Sequence, residues 1–332
     1  MAPSSTTERH AERVSQLRAR LDEVLPSLVE GREPSSLYDA VEHVLRAGGK
    51  RVRPILLLLV AESYGSSVDR ALPAALAVEV FHNFTLVHDD LMDDDEERRG
   101  GPTVHAKWDA GTAVLTGDFL MGLSYDLLGR VEGADLDALY SVYHPMVEAL
   151  CAGQALDASF ETDEAVSVEA YLDMIDRKTG ALLAAAFELG GVVGGASDRD
   201  REQLQAAGRL VGRAFQIQDD LLDVTADDEA WGRGTGGDLV AGKKTFVTLR
   251  ALERAEGAEY EWFARLVTNE GLPPEDVSEA RERMEALGVF NEARDAVATY
   301  TERAHERLGT VPDTSAAETL HWLLDQMQAR EY

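Results

Sequence analysis

The chain has 332 residues, with 61 Asp and Glu against 32 Lys and Arg, giving a formal net charge of −29 and a pI near 4.5. Such a balance excludes a generic nucleic-acid binder, which needs a basic face for phosphate, and disfavours an anionic membrane surface as partner. With 45% hydrophobic residues it is nevertheless no disordered acidic chain, and the length is ample for a sizeable core.

The first eight residues are rich in Ser and Thr and lack the apolar run of a secretory leader. Residues 1–8 are therefore expected to be a disordered tail. Val14, Leu17, Leu21, Val24 and Leu25 recur every three or four residues, the period of an amphipathic helix. Pro54 to Ala61 is the longest apolar stretch, eight residues, against the roughly 20 needed to span a bilayer. Leu72 to about Asp94 has almost no polar face until its acidic end, which predicts a central buried helix. Helical periodicity continues over 113–130, 134–156, 168–192, 199–224, 238–255, 277–308 and 315–331. Breakers fall at Gly48-Gly49, Gly100-Gly101-Pro102, Gly190-Gly191, Gly194-Gly195, Gly232 to Gly237 and Pro273-Pro274. Strand-like alternation is scarce and the composition does not shift, so residues 9–332 are expected to form one all-α domain, a large helical bundle. Cys151 is the single cysteine, which excludes an intrachain disulfide. It lies in a helical pattern as an expected small buried residue. A soluble, cytoplasmic protein is expected.

The basic residues are split unevenly. Five are lysines (Lys50, Lys107, Lys178, Lys243, Lys244), leaving 32 − 5 = 27 arginines. Excess acid with scarce lysine suits a protein living in concentrated salt, where charge repulsion is screened within about 3 Å at 1 M. The alternative is arginine-favouring codon usage. Under the salt reading the surviving lysines mark positions where arginine cannot serve.

Two acidic clusters carry the chemistry. Asp89-Asp90-Leu91-Met92-Asp93 ends the apolar helix, and the four-residue spacing puts Asp89 and Asp93 on one face. Alone this could be a solvated helix end. Asp219-Asp220-Leu221-Leu222-Asp223 repeats the spacing 130 positions later, again on an apolar helix. Matched oxygen-only sets suit a hard cation such as Mg²⁺, whose remaining ligands are commonly phosphate oxygens. Basic residues gather around them: Arg98-Arg99 before the Gly100-Gly101-Pro102 turn, Lys243-Lys244, Lys178-Thr179-Gly180, and Lys50-Arg51-Val52-Arg53 at a helix start. Backbone N–H groups at such a start also favour an anion. Jointly these segments read as a site for two diphosphates, one on metals and one on cations.

The ordered set Gly48-Gly49-Lys50-Arg51-Val52-Arg53-Pro54, Asp89-Asp90-x-x-Asp93 with Arg98-Arg99-Gly100, Lys178-Thr179 and Gln216-x-x-Asp219-Asp220-x-x-Asp223 resembles the trans-isoprenyl diphosphate synthases over roughly residues 40–250. The resemblance implies a bundle of the isoprenoid synthase type, with two Asp-rich helices facing each other across a central cavity. It implies a Mg²⁺-dependent prenyltransferase, with about three ions per site and Mn²⁺ able to stand in. Asp89, Asp93, Asp219 and Asp223 would hold metal, with Asp90 and Asp220 beside them. Arg98, Lys178 and Lys243 would meet the allylic diphosphate, and Lys50, Arg53, His82 and Arg99 the isopentenyl diphosphate. Thr179 and Gln216 match positions whose dipoles face the developing cation. Arg51 lies where the family pattern varies, and Arg233 stands where the family usually has lysine.

Family precedent also relates product length to residues one turn before the first motif. Phe84, with Phe81 and the small Thr85, points to C20 geranylgeranyl diphosphate, with C15 farnesyl diphosphate as the alternative. The alternative is that Phe84 packs as ordinary core, with depth set near Met121 or Tyr125. A terpene cyclase would share the fold and first motif but has no use for Lys50, Arg53 and His82. A non-catalytic synthase subunit would typically lack one aspartate motif. Homodimerisation is implied by the family, with no nucleic acid and no integral membrane segment.

Overall fold

The computed structural model describes residues 6–163, 165–226, 236–267 and 271–329, so Arg233 lies outside the described residues. Helices make up most of the described residues. Helices α1 (Thr6–Ser27), α2 (Ser35–Arg46), α3 (Val52–Ser63) and α4 (Val68–Met92) are followed by a two-stranded ribbon, β1 (Glu97–Arg98) and β2 (Gly101–Pro102). Then come α5 (Val104–Lys107), α6 (Ala110–Leu128), α7 (Leu136–Phe160) and α8 (Val168–Ile175). A π-helical turn, Asp176–Gly180, leads into α9 (Ala181–Gly194) and α10 (Asp198–Thr225). The remainder is α11 (Gly237–Val240), α12 (Phe246–Arg254), α13 (Ala258–Arg265), a 3₁₀ turn at Pro274–Asp276, α14 (Val277–Ala286), α15 (Val289–Leu308) and α16 (Ser315–Ala329). Among the described residues no helix is long and apolar enough to cross a membrane.

The chain divides into two compact units. The first comprises 1–143, 185–205 and 309–323; the second comprises 144–184, 206–308 and 324–332. In the first, α3 is apolar on every side: Ile55 to Ala61 are all 0% exposed. Each of its leucines contributes about 2 kcal/mol by burial. Gly190 lets α9 lie against α3, since a Cβ there would come 2.7 Å from the Leu57 carbonyl oxygen. Helix α4 starts at Ser67, whose hydroxyl accepts from the Arg70 N–H at 3.3 Å, and stays buried until its acidic end. It packs on α6, where Gly117 makes room for His88: a Cβ at 117 would fall 2.1 Å from the imidazole Nε2. In the second unit Tyr171, Ile175, Ile217, Leu221, Phe246 and Phe263 anchor a separate core.

Several elements differ from the sequence reading. Residues 6–8, expected in the tail, already form the first turn of α1. Cys151 is exposed on α7, not buried. The 168–192 helix is interrupted by the π turn, whereas Gly190-Gly191, read as a breaker, lies inside α9 as a packing surface. The 238–255 stretch breaks at Gly242 (φ 70°) and the 277–308 stretch at Gly288 (φ 75°), both in the left-handed region that glycine tolerates.

Candidate active site

In the first unit, the last turn of α4 sorts its aspartates by side. Asp90 is 5% exposed and turned inward, while Asp89 is half-buried and Asp93 open to solvent. This is what a four-residue spacing with an apolar helix body dictates: residues 89 and 93 share a face that residue 90 does not. Arg98 closes on Asp90 through its Nε, and its Nη2 lies 3.3 Å from Asp95. Burial pushes the Asp90 carboxyl above the usual carboxylate range, and the Arg98 charge opposes that rise. Arg98 is delivered by the ribbon, whose tight turn places Arg99 (φ 53°) and Gly100 (φ 74°) at the two left-handed positions.

Arg99 then reaches back to donate from Nη1 to the Gly48 carbonyl at 2.5 Å. Gly49 has φ 134°, a conformation that favours glycine, and a Cβ there would also crowd that guanidinium at 3.1 Å. Arg53 Nη1 lies 3.3 Å from His82 Nε2. Because arginine can only donate, this Nε2 accepts and the ring is neutral. Burial, and then the charges of Arg53, Arg99, Arg51 and Arg98, hold the His82 imidazole well below its ordinary pKa. Lys50 is exposed beside them.

Arg51, in the same loop, is different. Its side chain is 1% exposed and bonded to Glu79 at 2.6 Å and Asp22 at 2.9 Å. It also donates to the Leu45 carbonyl at 3.3 Å while its own backbone is left-handed (φ 51°). Glu79 is thereby paired to Arg51, while Lys50 and Arg99 are exposed and Arg53 is half-buried.

In the second unit the same sorting recurs on α10. Asp219 and Asp223 are half-buried, while Asp220 is 3% exposed. Asp220 accepts from the Tyr171 hydroxyl at 2.5 Å, the Phe246 N–H at 2.9 Å and Gln216 Nε2 at 3.2 Å. No cation is among these donors. Burial pushes the Asp220 carboxyl up to about 7, against the pull of its hydrogen bonds. Burial and the Asp220 charge likewise push the Tyr171 hydroxyl well above its ordinary value. Asp223 accepts from the Asp238 N–H at 3.0 Å, which brings α11 onto the end of the motif.

The π turn presents Lys178 and Thr179. Lys178 Nζ is 2.5 Å from Asp157, and the Thr179 hydroxyl donates to Gln216 Oε1 at 3.1 Å. Lys243 is exposed, 3.8 Å from Asp238, whereas Lys244 donates to the Phe160 carbonyl at 2.7 Å and tethers the loop.

Below the first motif runs a column of rings in the first unit. Phe84 meets His88 edge-on at 4.9 Å and Phe81 at 5.2 Å; Phe81 meets Tyr143 at 5.7 Å, and Tyr143 meets Tyr125 at 5.0 Å. Phe84 is 9% exposed and Phe81 0%. Thr85 donates to the His82 carbonyl at 2.8 Å.

Sequence reading missed Tyr171, Asp157 and Glu79, whose pairings span tens of residues. A lone glutamate inside an apolar run was a visible signal for Glu79.

Comparison with known proteins identifies the family. The polyprenyl synthetase family model matches residues 34–284. A geranylgeranyl diphosphate synthase of Methanosarcina mazei is 39% identical, with 96% of each chain covered. A geranylfarnesyl diphosphate synthase of Natronomonas pharaonis is 36% identical, over 98% of this chain and 100% of that one. The crystal structure of geranylgeranyl pyrophosphate synthetase from Pyrococcus horikoshii superposes with a TM-score of 0.90 at 35% identity, covering 97% of this chain and 100% of that one. The chain belongs to the polyprenyl synthetase family of prenyltransferases.

Proposed function

We propose that the protein condenses isopentenyl diphosphate with allylic diphosphates and that its main product is geranylgeranyl diphosphate. The observation that carries this is the repeated sorting of two aspartate motifs, each with an outward carboxylate pair and an inward anchor. In this reading residues 9–332 act as one catalytic domain.

Asp89, Asp93, Asp219 and Asp223 offer only oxygen, and their carboxylates are left to the half-buried or open side of each helix. That donor chemistry fits Mg²⁺, about three ions per site, with Mn²⁺ as a substitute. Bound there, the ions would neutralise the charge of the departing diphosphate. Lys178 and Lys243 would bind that diphosphate directly. Arg98 would act on it from its place against Asp90.

Lys50, Arg53, Arg99 and neutral His82 would hold the diphosphate of isopentenyl diphosphate. The allylic C–O bond breaks with its electron pair going to the diphosphate. The isopentenyl double bond then forms the new C–C bond, and a proton leaves to the released diphosphate. The oxygens of Thr179 and Gln216, fixed by their mutual hydrogen bond, supply dipoles to the cation without a full charge that would trap it.

Product length would be set by the ring column. Relatives named for both geranylgeranyl and geranylfarnesyl products match this chain, so the column's depth decides. Phe84→Ala should lengthen the product by at least one isoprene unit, read by chromatography of the dephosphorylated alcohols; unchanged length would remove Phe84 from the floor. A cytoplasmic homodimer adapted to salt completes the reading.

The test is incubation with labelled isopentenyl diphosphate, each allylic starter and MgCl₂, from low to molar KCl. A C20 product is expected, with activity rising with salt; a flat salt response would favour codon usage as the source of the acidity. Absence of isopentenyl incorporation at every salt concentration defeats the reading. Turnover of the allylic diphosphate alone would support a cyclase.

A further inference from the structure

The π turn Asp176–Gly180 is closed in by its neighbours within the second unit. A π turn is an uncommon winding that recurs at functional sites, and this one has three visible restraints, one from α7 and two from α10. On α7, Gly153 lies so near that a Cβ would come 2.4 Å from the Lys178 amide nitrogen. On α10, a Cβ on Gly212 would come 2.6 Å from the Gly180 Cα. The third restraint is ionic. Arg213 on α10 clasps Asp176 in bidentate fashion, Nε to Oδ1 at 2.6 Å and Nη2 to Oδ2 at 2.5 Å. The Tyr300 ring lies 5.5 Å from the same guanidinium, on α15. A planar fork on a carboxylate fixes orientation as well as distance, which a lysine point charge does not.

The register of this clamp matters. Three residues after Asp176 comes Thr179; three residues after Arg213 comes Gln216. Thr179 and Gln216 are joined at 3.1 Å, and Lys178 lies between Asp176 and Thr179 in the chain. Both charges of the clamp are therefore committed to each other, while the groups they carry are those assigned to the reacting end of the allylic substrate.

We propose that Asp176 and Arg213 are positioning residues for prenyl transfer, fixing the π turn against α10 so that Lys178, Thr179 and Gln216 hold one arrangement. The proposal rests on the prenyl-transfer reading above. It predicts a loss in kcat that leaves the isopentenyl site alone, because Lys50, Arg53 and Arg99 lie in a different unit.

The experiment is steady-state kinetics of Asp176→Asn, Arg213→Lys and the charge exchange Asp176→Arg/Arg213→Asp at 25 °C, with thermal unfolding of each. Displacement of catalytic groups by about 1 Å can cost on the order of a hundredfold, so kcat for Asp176→Asn should fall between about tenfold and a hundredfold. KM for isopentenyl diphosphate should stay within about twofold. Arg213→Lys, which keeps the charge and loses the fork, should not restore kcat, whereas the exchanged pair should recover part of it. Combined with Thr179→Val, Asp176→Asn should cost less than it does alone, because part of its effect runs through the Thr179 hydroxyl. The proposal is overturned if a folded variant keeps wild-type kcat with only a lowered melting temperature. Losses additive with Thr179→Val, or a parallel rise in KM for isopentenyl diphosphate, overturn it too. Should the single variants not fold, a folded but fully inactive charge exchange would count against it. A wild-type protein that incorporates no isopentenyl diphosphate instead removes the underlying reading, and the clamp's role with it.

Discussion

The two aspartate motifs share a spacing and a division of labour, yet their inward members are neutralised by opposite means. Asp90 meets a cation, Arg98, delivered by the ribbon that follows it. Asp220 meets a phenol, a backbone N–H and an amide, all neutral. The first arrangement is an ion pair near the surface, with Arg98 23% exposed; the second is a closed hydrogen-bond cage. One spacing can thus be held in place by charge or by dipoles, and each choice leaves a distinct experimental signature.

The largest effect should come from the outward members, where the two motifs are expected to behave alike. Asp89→Ala and Asp219→Ala should each lower kcat by about a thousandfold, roughly 4 kcal/mol of barrier, with little change in unfolding free energy. A loss at one motif only would break the symmetry.

The inward members should diverge. Arg98→Ala leaves the Asp90 charge buried without its counter-ion, a change that typically costs about 3–5 kcal/mol. Tyr171→Phe removes one donor of three from Asp220, an effect of about 1–3 kcal/mol. Chemical denaturation of both variants would rank them; equal losses would show that the cage is as charge-dependent as the pair.

A smaller difference should appear with pH. The folded Asp220 carboxyl, pushed up to about 7, titrates above its unfolded value of about 3.9. Between those values the native state binds the extra proton, so this group's stabilising contribution is complete below about pH 4 and is lost as pH rises through about 7. Asp220→Asn removes that dependence. Unfolding free energy measured from pH 5 to 8 in chelator should therefore decline less steeply in the variant than in wild type. An unchanged slope would mean that the cage keeps Asp220 ionised throughout.

Much of this was legible in sequence because it is local. The pairs Asp89/Asp93 and Asp219/Asp223 announce themselves by helical periodicity, and the lysines by their rarity. The apolar run from Leu72 marked α4 as central for the same reason. What escaped was non-local. Tyr171 lies 49 residues from Asp220, and nothing in the apolar pattern of α8 distinguishes its ring from core. The π turn escaped too, because Asp176 to Gly180 carries no proline and its close neighbours Gly153 and Gly212 come from other helices. Gly190-Gly191 failed in the opposite sense: a doublet that looked like a break serves close packing inside α9. The split of 238–255 at Gly242 turned on one glycine among many, with the loop continuing only because that residue accepts a positive φ.

The central claim is that each motif offers its outward pair to metal and keeps its middle aspartate as an anchor. Anomalous diffraction from crystals grown with Mn²⁺ and a non-ionisable allylic thiolodiphosphate tests it most directly. Manganese is expected on Asp89 and Asp93 and on Asp219 and Asp223, with Asp90 still on Arg98 and Asp220 still on Tyr171. Manganese coordinated by Asp90 or Asp220, or a diphosphate held with no metal on either motif, would contradict it.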